Sequence, residues 1–210
     1  MIVTNVNKTL SKSKAFSEIC RGSAICRICP ALADKAAVLS GLNGNLSPKV
    51  MFIGEAPGRV GADRTRQPFY GDKSGDNLQK LLDSIGLSRD DIFITSAVLC
   101  SPRSATDANR KPTRSEIKNC TAFLIRTFEL IDPPLVATLG SVALEAIKVI
   151  GPHELTLKND AGRAVEWNRR TLLPLYHPSP QVIAAQRGIG IQLEHFQVLD
   201  NLLRMNLNGS

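Results

Sequence analysis

The chain has 210 residues, 43% of them hydrophobic, which suits one domain with a substantial core. Lys and Arg outnumber Asp and Glu by 26 to 19, a net charge of +7, so a polyanionic partner is expected, nucleic acid first. No apolar run approaches the ~20 residues that span a bilayer, and MIVTNVNKTLSKSKAF lacks the continuous apolar stretch of a secretory signal, so a cytosolic protein is expected.

Residues 8–25 are polar and basic with scattered apolar positions, and they predict a partly exposed helical arm over 1–25. Residues 40–48, SGLNGNLSP, read as a turn-rich linker into a first buried strand, Val50 to Ile53. A long Gly-rich loop follows, carrying Glu55, Asp63, Asp72 and the adjacent aromatics Phe69 and Tyr70. Connections this long are usually functional. Ser74 reads as the N-cap of a helix to about Gly86. DIFITSAVLC, 91–100, is dense in β-branched residues and predicts the second strand. After the polar loop SPRSATDANRKP, Thr113 and Glu116 form a capping box for a helix through about Leu130. LVATL, 135–139, is the third strand, and Gly140-Ser141 starts a helix to Ile150. A short extended segment is expected around 164–167, then a fourth strand, TLLPLY, ending at His177-Pro178-Ser179-Pro180. Helices over about 180–187 and 191–205 finish the chain.

Short apolar strands alternating with helices imply an α/β fold in one domain. Its centre would be a four-stranded parallel sheet flanked by helices on both faces. Right-handed crossovers place every strand C-terminus on one edge. That edge collects the loops after Ile53, Cys100, Leu139 and Tyr176, so Glu55, Asp72, Asn109 and His177 converge there. Open sheets of this kind hold their ligands along that edge.

The five cysteines are Cys20, Cys26, Cys29, Cys100 and Cys120. Cys26 and Cys29 form a CxxC, and with Cys100 and Cys120 they offer four thiolates. Spacing alone fits zinc and an iron–sulfur cluster equally well. The spacing of Cys20 is looser, and it is expected to be a free thiol.

Five segments in order resemble the iron–sulfur uracil-DNA glycosylases of families 4 and 5. ICRICPAL resembles their N-terminal CxxC-P, and GEAPG the first motif of family 4. GADRTRQPFYGDKSG resembles the family 5 version of that loop. ITSAVLCSP with the following KPT and cysteine resembles the middle segment, and LYHPS the last motif. The resemblance covers roughly residues 20–200 and implies a glycosylase-like α/β domain over 26–210. It implies a [4Fe–4S] cluster on Cys26, Cys29, Cys100 and Cys120, structural rather than redox-active. It also implies excision of uracil, or a related deaminated base, from DNA by a monomer in the prokaryotic cytosol or nucleoid.

Residue by residue, Glu55 matches the motif-one acid of family 4, and Asp72 the acid that prepares water in family 5. Ala56 falls within the substrate-binding motif. Phe69 matches the aromatic that stacks on the flipped base, Asn109 the asparagine that reads the uracil edge, and His177 the histidine on the uracil O2 side. The chain departs from both branches by carrying Glu55 and Asp72 together. Ser96 stands where family 4 has a base-reading asparagine, and Asp63 replaces an asparagine common in family 5. Phosphate contacts are expected from Arg59, Arg64, Arg66, Lys73, Arg103, Arg110, Lys111 and Arg187, and a wedge into the base stack from Val182-Ile183. A second reading is a non-catalytic nucleic-acid-binding module stapled by a cluster or zinc. A phosphate-binding nucleotide enzyme ranks last, because GEAPG lacks the Lys-Ser/Thr of a P-loop and the GxGxxG spacing.

Overall fold

The computed structural model describes the backbone of residues 2–208 and the side chains of residues 11–185 and 188–205. Five strands form one sheet: β1 (Val50–Gly54), β2 (Ile92–Ser96), β3 (Leu135–Leu139), β4 (Val165–Trp167) and β5 (Arg170–Leu175). Their order is β2-β1-β3-β5-β4. The first four in that order run parallel, and β4 pairs antiparallel with β5. The expected four-stranded parallel sheet is therefore correct in its parallel part and one strand short. The extended segment near residue 165 pairs back along β5 and covers the sheet's edge.

The helices are α1 (Ile2–Ala24), α2 (Ala62–Thr65), α3 (Lys73–Asp83), α4 (Arg114–Ile131), α5 (Ser141–Ala146), α6 (Leu157–Asp160), α7 (Pro180–Val182) and α8 (Gly188–Asn208). They cover both faces. On one, Met51, Ile53, Phe93 and Val136 pack with Phe16 and Ile19 of α1 and with Leu124, Phe128 and Ile131 of α4. On the other, Val50, Phe52, Ile94 and Ala137 pack with Leu78, Leu81 and Leu82 of α3 and with Phe196, Leu199 and Leu203 of α8. Alternate strand residues point to opposite faces, so strands buried on both sides are apolar throughout. All five residues of β1, β2 and β3 are buried. The N-terminal helix is thus part of the core, through Phe16 against Phe93 with ring centroids 5.6 Å apart.

Two local readings change. The second strand ends at Ser96, although residues 97–99 remain buried. Asp72, not Ser74, caps α3: its side chain accepts a hydrogen bond from the Gly75 amide. Val182 and Ile183 are half-buried, and among the described residues the exposed large apolar side chains beyond His177 are Ile189, Ile191, Leu193 and Met205. The Thr113–Glu116 capping box is present as read.

Candidate active site

The sheet order reverses between β1 and β3, so a crevice opens between the loops that leave their C-terminal ends. Gly54 and Gly140 lie at its floor. A Cβ on Gly54 would stand 2.9 Å from the Phe69 ring and 3.5 Å from Ser96 Oγ. A Cβ on Gly140, whose φ is +99°, would stand 3.4 Å from the Cβ of His177. Backbone without side chains thus lets the Phe69 and His177 rings meet over the crevice, 5.4 Å apart and tilted by 40°.

Phe69 is half-buried and sits in the left-handed region at φ 50°, a conformation unusual for a bulky residue. His177 follows β5. Its carbonyl accepts from Gln192 Nε2 of α8 at 3.4 Å, and the Pro178 carbonyl accepts from Asn77 Nδ2 of α3 at 2.9 Å. Helices on the same face of the sheet therefore brace the His177-Pro178 loop from two sides. Burial pushes the His177 pKa down to about 4, against the field of nearby Asp72. The imidazole is neutral at physiological pH, so it can donate a hydrogen bond without carrying charge.

Asp72 holds two positions at once. Its Oδ1 accepts from the Gly75 amide at 2.9 Å. Its Oδ2 faces Gly58 and Gly61, and a Cβ on Gly61 would come within 2.1 Å of it. Capping uses one oxygen and leaves the other toward the loop. Glu55 is half-buried at the mouth of the same loop. Burial raises its pKa, opposed by the charge of Lys111. Ala56 follows it, half-buried. Asn109 lies at the rim, where its Oδ1 accepts from the Arg59 amide at 2.9 Å. Its Nδ2 faces Gly58, 3.8 Å from where a Cβ would be.

The structure thus brings together Glu55, Asp72, Phe69, Asn109 and His177, with Ser96 on the crevice floor. Sequence reasoning missed Asn77, Gln192 and Arg89, whose Nη1 and Nη2 donate to the carbonyls of Pro68 and Phe69 at 2.9 and 2.5 Å. None lies in a motif, and each acts on backbone carbonyls, which leave no trace in sequence.

The basic residues divide. Arg103 bonds Asp63 and Asp107, Arg66 bonds Asp63 and the Ala37 carbonyl, and Arg110 forms a forked pair with buried Glu116 at 2.7 and 2.8 Å. These three are committed to the scaffold rather than displayed for phosphate. Asp63 is the anchor of two of those pairs. Arg59, Arg64, Lys73 and Lys111 are exposed around the crevice. The side chain of Arg187 lies outside the described residues.

The four cysteines meet at the corner where the end of α1 approaches β2 and α4. Burial and the thiols of Cys26 and Cys29 push the Cys100 pKa up to about 11. Burial and the other three thiols push that of Cys120 up to about 12. Asn119 Nδ2 donates to Cys29 Sγ, and the Leu99 amide to Cys120 Sγ, both at 3.4 Å. Their raised pKa values keep Cys100 and Cys120 as neutral thiols, and a cationic metal centre would deprotonate its cysteine ligands. Four thiols are the donor type that soft metal centres take, but among the described residues no group of three or more His, Cys, Asp or Glu is placed to hold a metal ion. Cys20 lies apart, packed against the core beside α1's other apolar residues, with its thiol pKa raised by burial.

A family model described as the uracil DNA glycosylase superfamily matches residues 43–203. A type-4 uracil-DNA glycosylase of Thermotoga maritima is 32% identical over 155 residues, 73% of this chain and 76% of that protein. A type-4 enzyme of Archaeoglobus fulgidus is 32% identical over 171 residues, 79% of this chain and 82% of that protein. A type-5 enzyme of Pyrobaculum aerophilum is 36% identical over 151 residues, 65% of this chain and 64% of that protein. With three quarters of its length matched, including the residues of the sheet and the crevice, the chain belongs to the uracil DNA glycosylase superfamily.

Proposed function

We propose that the protein is a monofunctional DNA-repair glycosylase that hydrolyses the N-glycosidic bond of uracil, or a related deaminated base, and leaves an abasic site. The observation that carries this reading is the neutral His177 ring facing the Phe69 ring across a Gly-floored crevice, with Asp72 close by. The target base must leave the duplex to be cut. Phe69 serves as the platform on which it stacks. Breaking the bond leaves positive charge on the sugar and negative charge on the base. His177 donates to the base oxygen where that negative charge grows. Asp72, through Oδ2, and Glu55 stabilise the sugar cation and orient the attacking water. Asn109 offers Nδ2 to a carbonyl at C4, which uracil has and cytosine lacks, because its Oδ1 already accepts from Arg59. Arg59, Arg64, Lys73 and Lys111 supply phosphate contacts at the rim.

Cys26, Cys29, Cys100 and Cys120 hold a [4Fe–4S] cluster in this reading, which ties the end of α1 to the segment between β2 and α4. Its support is that the four thiols lie near enough for Cys26 and Cys29 to raise the pKa of Cys100 and of Cys120, together with the CxxC spacing of Cys26 and Cys29. Brown protein with a broad absorption near about 400 nm is expected for thiolate-bound iron; colourless protein with stoichiometric zinc would reject the cluster. In this reading the protein works as a monomer in the prokaryotic cytosol or nucleoid.

Incubation of the purified protein with a uracil-containing duplex, followed by alkali, tests the activity. Strand scission at uracil is expected. Intact strands on U:G, U:A, hypoxanthine and xanthine substrates would instead leave a binding module without catalysis.

A further inference from the structure

Phe69 occupies a backbone conformation that a phenylalanine does not choose alone, so something must hold it. Gly75 at the start of α3 bounds it on one side: a Cβ there would fall 2.5 Å from the Phe69 carbonyl oxygen. Arg89 holds it on the other. Arg89 stands in the 3-10 turn Arg89–Asp91 that leads into β2, twenty residues from Phe69 in sequence. Its side chain donates Nη1 to the Pro68 carbonyl at 2.9 Å and Nη2 to the Phe69 carbonyl at 2.5 Å. Nε donates to Gln79 Oε1 of α3 at 3.3 Å, which fixes the plane of the guanidinium. Among the described residues no carboxylate pairs with it. A guanidinium held this way is a two-pronged clamp on consecutive carbonyls, a geometry an ammonium does not reproduce.

We infer that Arg89 is a positioning residue that acts through Phe69, locking the left-handed turn at Pro68-Phe69 so that the ring stands over the crevice facing His177. Arg89 does not touch the base. It removes the freedom of the ring to leave its place, and the platform is formed before the base arrives. The same clamp joins the turn before β2 to the loop after β1, so the platform is held from outside its own loop. This inference rests on Phe69 serving as the platform.

The test joins a kinetic cycle to a spectroscopic reading. Arg89→Met is expected to slow single-turnover excision of uracil by about 10- to 100-fold, the cost of a displaced reacting partner. Phe69→Ala is expected to slow it comparably. If Arg89 acts through the ring, Arg89→Met adds less than about twofold on the Phe69→Ala background. Independent, multiplying losses would overturn the inference. In parallel, 4-fluorophenylalanine at position 69 is read by fluorine NMR without any substrate. One narrow line is expected with Arg89 present and a shifted or broadened line with Met; an unchanged line overturns the inference. If Phe69→Ala excises at the unaltered rate, the platform reading falls, and the fluorine line still decides whether Arg89 fixes the ring. Should Arg89→Met fail to fold, Arg89→Lys, which keeps the charge and loses the fork, carries both measurements.

Discussion

The loops that leave β1 and β2 are both long, polar and crowded with charge; both pair charges, Asp63 with Arg66 and Arg103 among them, yet the first also keeps two acids out of ion pairs. In the loop after β2, Arg103 is paired with Asp63 and Asp107, and Arg110 with Glu116. In the loop after β1, Glu55 is desolvated without a hydrogen-bonded partner among the described residues, and Asp72 keeps one oxygen uncapped. His177, which meets that loop from β5, is held neutral by burial. Paired charges build; unpaired, desolvated groups are poised to react. On the proposed reading the two acids of the first loop carry the chemistry, and the second loop, Asn109 apart, holds the scaffold.

The largest effect should come from the unpaired acids. Asp72→Asn and Glu55→Gln are each expected to lower excision by about 100-fold or more, as loss of a positioned acid or base does. If one is silent while the other abolishes turnover, the two acids are not partners, and the surviving one carries the reaction. Glu55→Gln should also raise the melting temperature at neutral pH, because it removes a charge that burial disfavours. The sign follows from its raised pKa: the folded protein binds that proton more tightly than the unfolded chain, so the gain fades as pH falls through the raised value. A variant that loses activity and gains stability marks a functional site.

Breaking the second loop should do the reverse. Glu116→Gln leaves the Arg110 guanidinium without its forked partner and should cost about 3 kcal/mol of stability. Urea denaturation measures that loss, while excision per folded molecule stays unchanged. A fall in the catalytic rate of the folded fraction would erase the contrast between the loops.

Acid should act through His177. Its pKa is lowered from 6.5 to about 4 in the folded protein. The unfolded chain therefore takes up a proton that the native state refuses as pH falls from 6.5 toward 4. Stability from this group is complete above 6.5 and declines across that window. Long-range proton–nitrogen NMR should find His177 neutral at pH values where an exposed histidine is already charged.

The smallest effect belongs to the rim. Lys73→Ala removes one exposed cation beside Asp72 and should reduce the salt dependence of DNA binding by about one phosphate contact. The single-turnover rate at saturation should not change. A changed rate would move Lys73 from the rim into the chemistry.

The alternation of apolar strands and helices was enough to place Glu55, Asp72 and His177 on one edge, because period and burial are local properties of the chain. The cap of α3 was harder to read. Asp72 and Ser74 both suit an N-cap, and only the position of the Gly75 amide selects Asp72. Asn109 is a residue of the right type in a loop of the right kind, but its carbonyl is taken by the Arg59 amide, a contact fifty residues apart. Arg103 and Arg110 look in sequence like phosphate ligands, and their carboxylate partners are fixed only when the loop closes.

What the sequence by itself determined is the set of parts: an α/β sheet, a Gly-rich loop with two acids and an aromatic, a strand-end histidine and four cysteines. Residue type and period carry that information, since hydrophobic alternation and backbone permissiveness act over a few neighbours. The tertiary structure decided which charges are paired and which are left without an ion-pair partner among the described residues. It also decided that Arg89 grips the Phe69 carbonyl and that β4 closes an edge of the sheet. Those choices depend on hydrogen bonds and desolvation between segments distant in sequence, and they exist only once the chain has closed around them.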